Sequence, residues 1–260
     1  MAGRDHPLFQ IEDIDISPRS GDSVLVIDFD SPTIKERLSS TVAGNAVGYA
    51  LSRVDPVGDG IGAGYRSLEA IARGYADSWL RQRETDRLIV VAYCSAAALA
   101  LRFADLLADS LEVGCLLVDP TWPSGELLAA EYSAIRRQLG VRVLADPCPE
   151  LEPTARLEQM DTVLSAELTA HLVDQGLDDS DARSLAAELA GRYLAWLGFL
   201  LATSQALSGP AEQSTQGAPV IPAMDFPVAE FTPAQDQFSG AEVMTKISLL
   251  SAALRASADA

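Results

Sequence analysis

Short apolar runs and longer amphipathic stretches alternate along the first half of the chain. Residues 23–29, 46–54, 88–93 and 113–118 are rich in Val, Ile and Leu and are mostly bounded by Asp, Pro or Gly, which predicts four strands. Residues 33–39 are expected to be helical. Over 67–83 the apolar positions Leu68, Ile71, Ala72, Tyr75, Trp79 and Leu80 recur at helical spacing, and an Ala-rich helix is predicted to follow the third strand as far as Leu107. Near-continuous apolar strands alternating with helices imply an α/β fold, with a mostly parallel sheet covered on both faces.

After Asp119 the periodicity changes. A helix over 124–139, a short run at 141–145 and long helices over 154–175 and 179–207 precede strand-like sequence at 218–223 and 228–231. Residues 208–217, rich in Ser, Gln and Gly, read as a linker. A last amphipathic helix is predicted over 241–256. The organisation expected is a sheet domain of residues 1–149 and 210–260 carrying a helical insertion over 150–209.

Composition narrows the chemistry. Of 260 residues 48% are hydrophobic and 22% charged, as in an ordinary globular domain. Nineteen basic against 37 acidic residues give a net charge of −18, which would repel a phosphate backbone, so nucleic acid is not expected as a partner. The start carries no signal-peptide core and no stretch reaches about 18 uncharged apolar residues, so neither a membrane partner nor export is expected; the expected location is the cytoplasm. Three cysteines without C-x-x-C spacing and only two histidines offer no convincing metal site, and no motif calls for a cofactor. The glycines of Asp55-Pro-Val-Gly-Asp-Gly-Ile-Gly62 lack both the P-loop lysine and the dinucleotide spacing, leaving a plain loop.

One segment carries candidate chemistry. Leu88-Ile-Val-Val-Ala-Tyr-Cys-Ser-Ala-Ala-Ala-Leu-Ala100 reads as a buried strand turning sharply into a helix, the layout of a nucleophile elbow. Such a turn needs small residues two before and two after the nucleophile. With Cys94 as nucleophile those positions are Ala92 and Ala96, whereas Ser95 would put Tyr93 in the crowded place. The plain alternative is that Cys94 is a small hydrophobe packed at a strand end.

The elbow, the Leu116-Leu-Val-Asp-Pro120 strand end and the helical insertion, in this order, resemble the α/β-hydrolase superfamily, and within it the thioesterases of polyketide and nonribosomal peptide assembly lines. Cysteine in place of serine is similar to the subset that includes Dieckmann cyclases. The resemblance implies that Cys94 takes an acyl or peptidyl chain from the phosphopantetheine of a carrier protein. It also implies an oxyanion hole from the Ser95 N–H and a backbone N–H near Phe29 or Asp30, and that Asp119 orients the base. Docking to an acidic carrier would use a local basic patch, either Arg81, Arg83 and Arg87 or Arg136, Arg137 and Arg142. The side chains expected at the acyl site are Phe29, Asp30, Tyr93, Ser95, Trp122 and Trp196.

In the family the histidine lies just before the last helix, and Gln237 stands at that place, in Gln235-Asp-Gln-Phe238. Glutamine cannot take a proton at neutral pH. His171 on a lid helix, His6, or Asp119 or Asp236 beside a helix-stabilised thiolate could replace it, and Asp146 and Asp225 are alternative acids. The expected activity is cyclising release of a thioester-bound chain, or its hydrolysis. The alternative is a histidine-less relative that binds an acyl chain or carrier, or cyclises a substrate without a covalent bond.

Overall fold

Alternate residues of a strand face opposite sides of its sheet, and three central strands of this chain are apolar on both sides, so both faces must be covered. The computed structural model describes residues 9–15, 22–29, 37–45, 48–61, 64–83, 85–141, 150–207, 224–232 and 239–258. Its six strands are β1 (Glu12–Asp15), β2 (Asp22–Ile27), β3 (Ala50–Val54), β4 (Arg87–Tyr93), β5 (Glu112–Val118) and β6 (Val228–Phe231). They form one sheet in the order β1-β3-β2-β4-β5-β6, parallel except for β1. The helices are α1 (Leu38–Ala43), α2 (Leu68–Gln82), α3 (Ala97–Ala108), α4 (Gly125–Gln138), α5 (Pro153–Asp174), α6 (Asp179–Leu207) and α7 (Gly240–Ala258).

One face of the sheet presents Val24, Val26, Ile89, Val91, Leu116 and Val118 to Leu38 and Val42 of α1 and to Val243, Ile247, Leu250 and Leu254 of α7. The alternate residues Leu25, Ile27, Leu88, Val90, Ala92, Cys115 and Leu117 are equally buried, on the face where α3 packs against β4 and β5, with α2 beside it. Each Val, Leu or Ile among them contributes about 1.5–3 kcal/mol by leaving water. This is an α/β fold with a mostly parallel sheet flanked by helices and a strand–elbow–helix unit on a central strand.

The described residues fall into two compact units, one of all six strands with α1, α2, α3 and α7, the other of α4, α5 and α6 with Gly60–Ser67. In the helical unit, Leu157, Met160, Leu164, Leu168 and Leu172 of α5 meet Ala182, Ala186, Ala190, Leu194, Leu197 and Leu201 of α6, with Leu128, Tyr132 and Ile135 of α4. Arg136, almost fully buried, grips Glu167 with two nitrogens and so ties α4 to α5. By length and composition α6 is apolar enough to cross a membrane, a property masked in the sequence by Arg192 and by polar residues near its end; 56% of its most apolar window is buried in the protein.

Several boundaries differ from the sequence expectation. The strand β1 is too short and too polar, as Glu-Asp-Ile-Asp, to show periodicity, and it forms by pairing antiparallel with β3. Residues 48 and 49 lie in a turn, so β3 begins at Ala50 rather than 46, and α1 begins at Leu38, five residues beyond the expected start. The expected strand at 218–223 and the linker at 208–217 lie outside the described residues, as do all but the first residue of the 141–145 run. That residue, Val141, is not in a strand.

At the starting edge of the strands, Asp22 is 1% exposed and accepts hydrogen bonds from Arg87 of β4 and from Ser251 and Arg255 of α7. Burial alone would raise its carboxyl, but these donors outweigh it and hold the group below its ordinary range. A depressed folded-state value stabilises the fold fully above the unfolded value of about 3.9 and loses that contribution as pH falls through the depressed value. Asp22→Asn is therefore expected to lower unfolding free energy by about 2 kcal/mol at neutral pH. In urea titrations the gap from wild type should shrink steadily below about pH 4.

Candidate active site

The buried strand β4 ends at Tyr93 in extended backbone (φ −112°, ψ 136°), and the next residue reverses the chain. Cys94 has φ +54°, a single 3₁₀ turn spans Cys94–Ala96, and α3 begins at Ala97. A non-glycine residue in the left-handed region costs on the order of 1–2 kcal/mol, so surrounding bonds must hold it there. They do so through the Cys94 carbonyl, which accepts the Ala97 N–H and, at 3.1 Å, the Thr121 N–H. Ala92 and Ala96 are 1% and 0% exposed, which is the crowding that demands small side chains at those positions.

The sulfur is half-buried. The Cys94 thiol donates to Thr121 Oγ1 at 3.4 Å and lies 3.8 Å from Ser95 Oγ. Cys115 differs in every respect: it is fully buried in β5, and burial pushes its thiol far up, so it stays protonated and inert. Cys148 lies outside the described residues.

Asp119 leaves β5 at the level where Cys94 leaves β4, because Tyr93 pairs with Val118 in the parallel register. It too has positive φ, +46°, and its N–H donates to the Phe231 carbonyl at 2.8 Å, fastening the end of β5 to that of β6. Its side chain is exposed. Tyr93 senses both neighbours: burial raises its hydroxyl, and the negative charges that Cys94 and Asp119 can carry raise it further. The expected pair of thiol and carboxylate thus shares the ends of two adjacent strands, about 4.8 Å apart.

A second, buried polar network borders the same edge of the sheet. Asp28, at the end of β2, accepts the Ser39 N–H at 2.8 Å and Arg53 Nε at 2.5 Å, and a second nitrogen of Arg53 donates to Asp55 at 2.8 Å. Asp55 in turn accepts the N–H groups of Val57 and Gly58, shaping the loop after β3. Gly58 is required there, since a β-carbon would fall 2.7 Å from the Asp55 carboxylate. Asp59 accepts the Tyr75 hydroxyl at 2.7 Å and the Gln10 N–H at 3.1 Å; burial raises its carboxyl, and the Tyr75 hydroxyl is raised well up by its own burial. The Asp55–Gly62 segment, plain in the sequence, is in part a loop folded on its own carboxylates.

Phe29 follows this network and is buried, 1% exposed. Ser95 is also buried, while Tyr93 and Trp122 are partly exposed. Trp196 belongs to the helical unit, donating its indole N–H to Glu131 and stacking on Phe199 at 6.4 Å. His171, in the same unit, faces Gln175 one turn further along, with its Nε2 3.0 Å from the amide nitrogen. Asp30, Gln237, His6, Asp146 and Asp236 lie outside the described residues. Asp225 is excluded as an alternative acid: it precedes β6, at the edge of the sheet opposite to the one where Cys94 emerges.

A groove of about 620 Å³ between α5 and α6, lined by residues such as Thr169, Val173, Arg183 and Ala186, contains none of these side chains. Arg83, Arg87 and Arg136 of the expected basic patches are engaged with Asp13, Asp22 and Glu167, and Arg137 donates to the Ser133 carbonyl; Arg142 lies outside the described residues. Sequence reading passed over Thr121 and the Asp28–Arg53–Asp55 cluster. Acidic residues directly after two strands, and a hydroxyl two places beyond Asp119, were the available signals.

An esterase from Thermogutta terrifontis, solved with malate bound, is similar to this chain over 93% of its residues and 80% of the esterase, at 16% identity and a TM-score of 0.45. A hydrolase from Oleispira antarctica is similar over 75% of this chain and 67% of its own, at 12% identity and a TM-score of 0.36. No protein-family model and no curated protein matches the sequence.

Since the turn imposes positive φ on whatever residue occupies position 94, glycine should fit it better than alanine. Cys94→Gly is expected to be more stable than Cys94→Ala by about 1 kcal/mol, read from urea unfolding midpoints of the two variants.

Proposed function

We propose that this protein is an acyl-transfer enzyme that takes a thioester-bound acyl or peptidyl chain onto Cys94 and releases it by internal cyclisation. The observation that carries the reading is the half-buried Cys94 thiol at φ +54°, raised on the end of a central strand beside the exposed Asp119. A side chain in this position meets substrate from one side while the first turn of α3 lies behind it, and the free N–H groups of that turn favour developing negative charge.

In the first step the sulfur attacks the thioester carbonyl, a new carbon–sulfur bond forms, and the carrier's pantetheine sulfur leaves with the thiol proton. Exchange of one thioester for another is nearly isoenergetic, so the chain remains activated. In the second step a carbon acid within the chain, flanked by two carbonyls, attacks the acyl carbon; a carbon–carbon bond forms, the bond to Cys94 breaks, and the proton lost from carbon ends on the restored thiol. Hydrolysis would require a base to activate water, and such a carbon acid needs less help. The supply of substrate by an acyl or peptidyl carrier protein belongs to the same proposal.

Intact-protein mass spectrometry tests it, after incubation with β-ketoacyl pantetheine thioesters. Wild type is expected to gain the acyl mass and to release a cyclic product, and Cys94→Ala to gain none. Free acid as the dominant product would overturn the cyclisation step. Unmodified wild type that still converts substrate, with Cys94→Ala equally active, would overturn the covalent one.

A further inference from the structure

We infer that Thr121 is a positioning residue for the Cys94 sulfur, holding the thiol at the open side of the elbow and donating to it whenever it carries negative charge. The inference rests on the reading of Cys94 as nucleophile and adds a partner that the sequence did not reveal.

Thr121 reaches Cys94 twice, by independent groups. Its backbone N–H holds the Cys94 carbonyl at 3.1 Å, which fixes the turn, and its side-chain oxygen lies 3.4 Å from the sulfur, which fixes the thiol. The direction of that oxygen is itself constrained. A β-branched side chain has few χ1 choices, and Pro120 and the Asp119 N–H bond to Phe231 restrain the segment it stands on.

A hydroxyl both accepts and donates. Toward the neutral thiol Thr121 accepts; toward a sulfur anion the hydroxyl hydrogen can swing round and donate. Bonds to an ionised partner are about twice as strong as neutral ones, and a thiol is a weak donor, so the pair tightens when sulfur is charged. That happens in the free thiolate and again when the acyl–sulfur bond breaks. Ser95 Oγ, 0.4 Å farther from the sulfur than Thr121 Oγ1 (3.8 against 3.4 Å), is the weaker of the two hydroxyl partners. Because the backbone bond survives any change of side chain, substitutions at 121 isolate the hydroxyl.

The test is the rate of Cys94 alkylation by iodoacetamide, followed by peptide mass in wild type, Thr121→Val, Thr121→Ala and Thr121→Ser, each checked for an unchanged thermal melt. At pH 7 the Val and Ala variants are expected to react about tenfold more slowly, with Ser within about twofold of wild type. Near pH 10, where thiols ionise without help, the difference should narrow. Wild-type rates in both Val and Ala, or a Ser variant as slow as Val, would overturn the inference; should Val fail to fold, Ala and Ser decide it. Alkylation needs no acyl chemistry. The expected alkylation pattern with no acyl adduct from any thioester would therefore end the acyl-transfer reading while leaving the role of Thr121 in place.

Discussion

The candidate site depends on one strained residue. Cys94 can occupy the left-handed region only because its carbonyl is held by two N–H groups, one from the turn it initiates and one from Thr121 on the neighbouring loop. The same reversal that costs energy lifts the sulfur clear of the sheet and brings the start of α3 in behind it. Strain, exposure and the helix terminus are thus consequences of one backbone conformation, and Thr121 links that conformation to the strand that delivers Asp119.

The rest of the unit serves as a frame against which the strain can be held. At the starting edge of the strands, buried Asp22 gathers β4 and α7; at the finishing edge, Asp28 and Arg53 fasten the ends of β2 and β3 to the first turn of α1. Between these two polar fastenings the strands are almost wholly apolar. Breaking either fastening by removing one partner would leave a buried charge, which costs far more than a surface ion pair is worth. The strand ends that carry Cys94 and Asp119 are fixed relative to one another by pairing in register and by the bond from the Thr121 N–H to the Cys94 carbonyl.

Two described thiols show how environment divides one chemistry into two fates. Cys115 sits in the middle of β5 with no exposure and no polar partner to favour its anion, and it is a packing residue. Cys94 has partial exposure and two hydroxyls within reach. The difference comes from position in the fold, since the local sequences, Gly-Cys-Leu and Tyr-Cys-Ser, do not by themselves distinguish a buried thiol from an open one.

The sequence by itself determined the α/β class, five of the six strand positions in the sheet unit, the long helices and the elbow, because each of these is written in local periodicity or in the need for small residues at Ala92 and Ala96. The resemblance carried by the elbow and the Leu116–Pro120 strand end added Asp119. Only the tertiary structure decided the rest. The strand β1 exists because β3 offers it a partner; Asp225 is ruled out because β6 runs parallel to β5; Arg83, Arg87 and Arg136 pair with Asp13, Asp22 and Glu167. Thr121 became a partner of Cys94 although 27 residues separate them. Hydrogen bonds between distant residues depend on which strand ends the sheet order places side by side, and that order is set by the packing of whole elements, which no local pattern of apolar and polar positions encodes.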